Sequence, residues 1–152
     1  MQDFSVKDPA LWGKFVEVFR VQQDGENQGW RGEYWGKMMR GAVLVYEYSR
    51  SSELLDILTE TVRDMLTVID EEGRISSFTK ETEFRAWDLW CRKYVILGME
   101  YFLEICPDEA LKAEINENEL GILLFTSGTT SASKAVMLSQ KNVASNIYAL
   151  QS

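Results

Sequence analysis

No histidine occurs anywhere in the chain. That removes imidazole as a general base or metal ligand, and with it the Ser-His-Asp and Cys-His arrangements. Cysteine and proline number two each. Cys91 and Cys106 fall on what reads as a single helix, and at about 1.5 Å rise per residue they stand roughly 22 Å apart, beyond disulfide reach. Two free thiols fit a reducing compartment. Basic residues are also in deficit: 16 Lys and Arg against 24 Asp and Glu leave a net charge of -8. Phosphate backbones and anionic lipid surfaces are gripped by clustered Lys and Arg, so neither nucleic acid nor a membrane surface is an expected partner. No apolar run is long enough to span a bilayer. The start, Met1-Gln2-Asp3-Phe4, lacks the basic-then-apolar order of a signal peptide. The expectation is a cytoplasmic protein whose partners are small molecules.

What is present is helix. Hydrophobic residues make up 45% of the 152 and charged residues 26%, a composition that folds rather than stays disordered. Leu11, Trp12, Phe15, Val16, Val18 and Phe19 recur at helical spacing from Pro9 to about Val21, and a polar, Gly-bearing loop follows to Gly29. A second helix is expected from Tyr34 to Tyr48. Ser51 or Ser52 reads as the N-cap of a third, which runs through Ile69 and ends at Asp70-Glu71-Glu72-Gly73. Residues 75–82 read as irregular. The longest helix is expected over Phe84–Cys106, broken by Pro107, with a short helix over Asp108–Ala113. Short links between consecutive helices imply antiparallel hairpins. A few helices alone would leave methionines and aromatics uncovered, which favours self-association through those faces.

The character changes after Ile115-Asn116-Glu117-Asn118. The order becomes strand (119–125), loop (126–134), strand (135–138) and helix (139–150). An isolated two-stranded ribbon is marginal in water, so this segment reads as part of a larger α/β domain. Three regions follow: a helical part over 1–112, a junction over 113–118, and a β-loop-β-α segment over 119–152.

The loop is Thr126-Ser127-Gly128-Thr129-Thr130-Ser131-Ala132-Ser133-Lys134. Small hydroxylated residues let backbone amides approach phosphate oxygens, hydroxyls add donors, and Lys134 supplies a point charge. The glycine-to-lysine spacing is not that of a Walker loop. The run from Leu124 to Thr130, then Lys134, then Val136-Met137-Leu138-Ser139-Gln140-Lys141-Asn142, resembles the signature loop of adenylate-forming enzymes such as acyl-CoA synthetases and related ligases. It departs from that pattern at Ser131 and Ala135, where the family usually has glycine. In the family the loop grips the β- and γ-phosphates of Mg-ATP while a carboxylate attacks the α-phosphate. The resemblance, over about residues 114–152, implies ATP and Mg as cofactors and Thr126, Ser127, Gly128, Thr129, Thr130 and Lys134 as phosphate contacts.

The helical part carries two aromatic runs, Gly29-Trp30-Arg31-Gly32-Glu33-Tyr34-Trp35-Gly36-Lys37 and Trp87-Asp88-Leu89-Trp90-Cys91-Arg92-Lys93-Tyr94. Aromatic faces beside Arg, Asp and Glu suit a sugar ring, and equally suit core packing with ordinary ion pairs, Asp88 and Arg92 being spaced i,i+4. Together with Asp70-Glu71-Glu72-Gly73-Arg74-Ile75, these runs resemble the β-L-arabinofuranosidase family of glycoside hydrolases (family 127), over roughly residues 5–112. That resemblance implies a fragment of an (α/α)6 barrel, with Trp30, Glu33, Trp87, Asp88, Arg92 and Lys93 near a sugar pocket. The zinc site with its cysteine nucleophile belongs to motifs not found here, and Cys91 reads as a small core residue. Glu33, Glu83 and Asp88 are the carboxylates available for an acid pair.

The sequence thus reads as mainly α, helical hairpins followed by a short β-loop-β-α segment. Taken together the resemblances imply a truncated or chimeric product, inactive alone, whose catalytic residues are not assigned. The alternatives are a small carbohydrate-binding helical module and a nucleotide-binding accessory protein.

Overall fold

The computed structural model describes residues 6–25, 32–71, 73–118, 122–126 and 134–138. It divides into two units, Met1–Leu111 and Lys112–Ser152. The described residues are mainly α.

Helix α1 spans Pro9–Arg20. It starts there because Asp8 is extended and its carboxylate accepts the Ala10 amide at 2.9 Å, with Pro9 at the first turn. Helix α2 spans Glu33–Ser49 and closes on Arg50, a left-handed residue at φ 53° whose amide donates to Tyr46 O at 2.7 Å. Ser51 then caps α3, Ser52–Leu66, by accepting the Leu54 amide at 3.3 Å. Helix α3 stops earlier than its apolar pattern suggests, and Thr67 and Val68 form a turn. Gly73 does adopt the left-handed conformation, at φ 76°, inside a turn where the Asp70 amide donates to Arg74 O and the Arg74 amide donates to the Asp70 carboxylate.

The longest helix, α4, spans Asp88–Ile105 and not Phe84–Cys106. Phe84 and Ala86 have φ of 62° and 48°, incompatible with a helical start. Pro107 ends the region. Asp108 then caps α5, Glu109–Asn118, by accepting the amides of Ala110 (3.0 Å) and Leu111 (3.1 Å). This helix runs further than the short segment expected.

Helix direction follows from the pairing of residues. Trp35, near the start of α2, donates its indole N–H to Thr61 Oγ1 near the end of α3 at 3.0 Å. With Arg50 and Ser51 as the link, α2 and α3 form an antiparallel hairpin. Contacts between α2 and α4 climb together instead: Glu33 with Trp90, Lys37 with Tyr94, Arg40 with Tyr101. These helices are parallel and pack more tightly than any other pair. A Cβ added at Gly36 would lie 1.7 Å from Tyr94 O, and one at Gly98 would lie 2.9 Å from Gly36 Cα. Only glycine permits this approach. Helices α1 and α3 are likewise parallel, Lys7 meeting Glu53 and Arg20 meeting Asp64.

The core of this unit lies where the helices converge. Trp12, Val16 and Phe19 of α1 are buried with Trp35, Met39 and Val43 of α2, Leu54, Leu58 and Val62 of α3, and Val95 and Phe102 of α4. Each such side chain contributes about 1.5–3 kcal/mol relative to exposure. Trp12 meets Trp35 edge-on at 6.5 Å, and its indole N–H donates to Val6 O at 2.9 Å. Phe78, fully buried, anchors the irregular link between α3 and α4, along which Gln23 N donates to Ser77 O at 3.1 Å.

In the second unit, strand β1 (Ile122–Thr126) pairs antiparallel with β2 (Lys134–Leu138), in the register Ile122 with Leu138 through Thr126 with Lys134. Of the strand expected over 119–125, residues 119–121 lie outside the described residues. Residues 127–133 and the helix expected over 139–150 lie outside the described residues.

Candidate functional site

The residues expected to carry function fall in two places: on and around α2 and α4, and in the loop between β1 and β2. Of the six residues expected near a sugar pocket, the five described ones divide between the protein interior and an outer edge. Trp30 lies outside the described residues. Asp88 and Arg92 are in the protein interior, 0% and 5% exposed. One helical turn apart on α4, they meet as Arg92 Nη2 to Asp88 Oδ2 at 3.0 Å and Nε to Oδ1 at 3.0 Å. Asp88 also accepts the Ser76 hydroxyl and the Phe84 amide, the latter at 2.9 Å. Arg92 reaches on to Glu83 Oε1 at 2.8 Å, and the Arg74 guanidinium approaches the same oxygen at 3.3 Å. Arg74 donates besides to the carbonyls of Phe78 (2.6 Å) and Thr79 (2.9 Å). The four charged groups balance and tie the 74–88 link to α4. The left-handed Phe84 is held by this network, its amide on Asp88 and its ring 5.3 Å from the Arg92 guanidinium. The i,i+4 spacing of Asp88 and Arg92 announced their pairing; Ser76, Glu83 and Arg74 had no local signal.

Glu33, Trp87 and Lys93 belong to the outer edge. Trp87 and Trp90 are 49% and 39% exposed and meet edge-on at 6.0 Å; Tyr94 continues the row 5.2 Å from Trp90. The Lys93 ammonium stands 3.7 Å from the Trp90 ring centre and 4.1 Å from that of Tyr94. Glu33 accepts the Trp90 indole N–H and pairs with Lys37 at 2.7 Å. Partial burial pushes its carboxyl up, but the bonds from Lys37 and Trp90 and the charges of Lys37 and Lys93 outweigh that and hold it below the usual range. All three carboxylates available for an acid pair, Glu33, Glu83 and Asp88, are therefore bound to cations of the chain itself.

Cys91 and Cys106 are buried and form no disulfide. Burial first, then the charges of Glu33 and Asp88, push the Cys91 thiol up to about 11 against the hydrogen bond with Ser77. A thiol so placed is a poor nucleophile. Among the described residues no group of three acidic or cysteine side chains is arranged to hold a metal ion. No helix among them is long and apolar enough to cross a membrane.

In the second unit the register sets Thr126 directly opposite Lys134. These are the first and last residues of the hydroxyl-rich run, so the backbone places both ends of that loop side by side. Ser127, Gly128, Thr129 and Thr130 lie outside the described residues.

The sequence profile of AMP-binding enzymes matches residues 38–152. The chain belongs to the AMP-binding enzyme family. The match begins inside α2 and takes in α3, α4, α5 and both strands. It thus covers much of the segment that the aromatic runs had linked to arabinofuranosidases, and the glycoside hydrolase reading finds no support. No solved structure matches this AMP-binding family member.

Proposed function

We propose that this AMP-binding family member holds the polyphosphate of Mg-ATP in the loop from Thr126 to Lys134, as part of ATP-dependent activation of a carboxylate. Family membership over residues 38–152 carries this reading, because the matched stretch includes the whole loop. The donor set fits the ligand. Thr126, Ser127, Thr129 and Thr130 offer hydroxyls, Gly128 allows close backbone approach, and Lys134 supplies the cation in a chain of net charge -8. The pairing of Thr126 with Lys134 supports a ligand embraced from both ends of the loop. ATP, when bound, supplies the electrophilic α-phosphorus; the loop residues orient the β- and γ-phosphates and offset their charge.

The test is equilibrium binding of Mg-ATP to the full chain by calorimetry, beside hydrogen exchange read by mass spectrometry. Saturable binding, weakened about tenfold or more by Lys134→Ala, and ATP-dependent protection confined to 126–134 are expected. Binding that ignores Lys134→Ala, or protection elsewhere alone, would sink the assignment. Ser131→Gly, which restores the residue usual in the family, is expected to tighten binding.

A further inference from the structure

Between α1 and α3, wholly within the first unit, lies an open groove of about 580 Å³. That volume is in the range of small-molecule sites. Its accessible wall is mostly carbon, with Pro9, Ile57 and the edge of the otherwise buried Trp12 in the lining and Gly13 on its α1 side. Gly13 occupies the interior of α1, where glycine costs stability relative to alanine. Packing does not require it: a Cβ there would meet nothing within 4 Å, unlike one at Gly36 or Gly98. The missing side chain leaves the groove open.

Three carboxylates edge the groove: Asp56, Glu60 and Asp64. Two have cations of their own. Glu60 takes Arg63 at 2.7 Å, and Asp64 takes Arg20. Asp56 has no ion-pair or hydrogen-bond partner among the described residues. The groove therefore carries one uncompensated negative charge beside an apolar wall.

We infer that this groove is a binding site for a small organic monocation, a primary ammonium on an aromatic or aliphatic body, with Asp56 taking the ammonium and Pro9, Gly13 and Ile57 lying along the body. Arg63 also lines the groove but is taken up by Glu60 and Asp108, so an anion would face Asp56 without a free cation to offset it, and a neutral apolar molecule would leave the carboxylate unused. The site is independent of the ATP loop, and its test does not depend on nucleotide.

The full chain, labelled with nitrogen-15, is titrated with phenethylamine and followed by amide and indole resonances. Its neutral and anionic counterparts, 2-phenylethanol and phenylacetate, are run in parallel. Saturable shifts at Trp12, Gly13 and Ile57 with the amine, weaker by about fivefold with the alcohol and absent with the acid, are expected. Asp56→Asn, at an exposed position, reduces amine binding about fivefold and leaves the helical circular dichroism unchanged. Gly13→Leu fills the open space with a good helix former and abolishes binding. Equal binding of amine and alcohol, an unaltered affinity in either variant, or no saturable shift up to about 10 mM amine would overturn the assignment.

Discussion

Replacing Gly36 by alanine is expected to destabilise the helical unit, although alanine is the better helix former. The new Cβ would stand 1.7 Å from Tyr94 O and 2.3 Å from Tyr94 C, against an ordinary contact of 3.4–4 Å. The obstacle is backbone, so no side-chain rotation relieves it, and α2 and α4 must separate by about 1.5–2 Å. That motion loosens the contacts of Trp35, Met39 and Val95 along the shared seam. Overpacking costs about 1–3 kcal/mol and sometimes more; a backbone clash belongs at or above the upper end. The gain in helix propensity returns about 1 kcal/mol. The net loss is about 2–3 kcal/mol, which for a chain of this size lowers the melting temperature by roughly 5–10 °C. Urea unfolding followed by far-ultraviolet circular dichroism measures it. The same substitution at Gly13, where nothing lies within 4 Å, is the control and is expected to raise stability by up to about 1 kcal/mol. Two alanines of the same sign would refute the parallel close approach of α2 and α4.

Asp88→Asn keeps the shape but leaves Arg92 and Arg74 with Glu83 alone; a loss of about 3 kcal/mol is expected in the same unfolding assay. Lys93→Ala, which removes only a cation over exposed rings, should cost about 1 kcal/mol or less; a larger loss there than at Asp88 would contradict the division between interior and edge. The Cys91 thiol, raised to about 11, stays protonated at pH 8, so iodoacetamide is expected to modify it only after unfolding; rapid modification of the native protein, read by peptide mass, would count against its burial. Glu33 is held below its ordinary range, so its contribution to stability is complete above the unfolded-state value and is lost as pH falls through the lower, folded one. Glu33→Gln should flatten the acid limb of the stability curve there, and an unchanged limb would show that its partners do not hold it charged.

The helices were legible because their apolar residues recur at a helical period and their starts carry local chemistry: Asp8 before Pro9, Ser51 before α3, and Pro107 before α5. What failed locally was decided from a distance. The start of α4 depends on Asp88 receiving Ser76 and Phe84, and nothing around Phe84 foretells a left-handed aromatic. The separation of the two aromatic runs into an interior network and an outer edge was equally hidden, because Asp88 and Lys93 share one helix and differ only in the face they occupy. One available signal was missed. Gly32, which caps α2, and Gly36 within it are spaced four apart, a pattern that goes with close helix contact. The loop was the clearest chemical motif, since its residues are contiguous and need no tertiary assembly to be recognised. Its limits moved only slightly, Thr126 and Lys134 being strand residues that face one another.

The parallel course of α2 and α4 has an electrostatic consequence. Peptide dipoles add along each helix, so two helices that run the same way bring their positive ends together, an arrangement that repels. The two residues that open these helices are Glu33 and Asp88, both acidic. Each places a negative charge at the crowded positive end, and each is held there by a cation one turn further along, Lys37 and Arg92. The pair so arranged acts as a charge clamp at the mouth of the bundle. Neutralising both carboxylates together would leave two aligned dipoles and two cations facing each other, so their combined loss should exceed the sum of the separate ones.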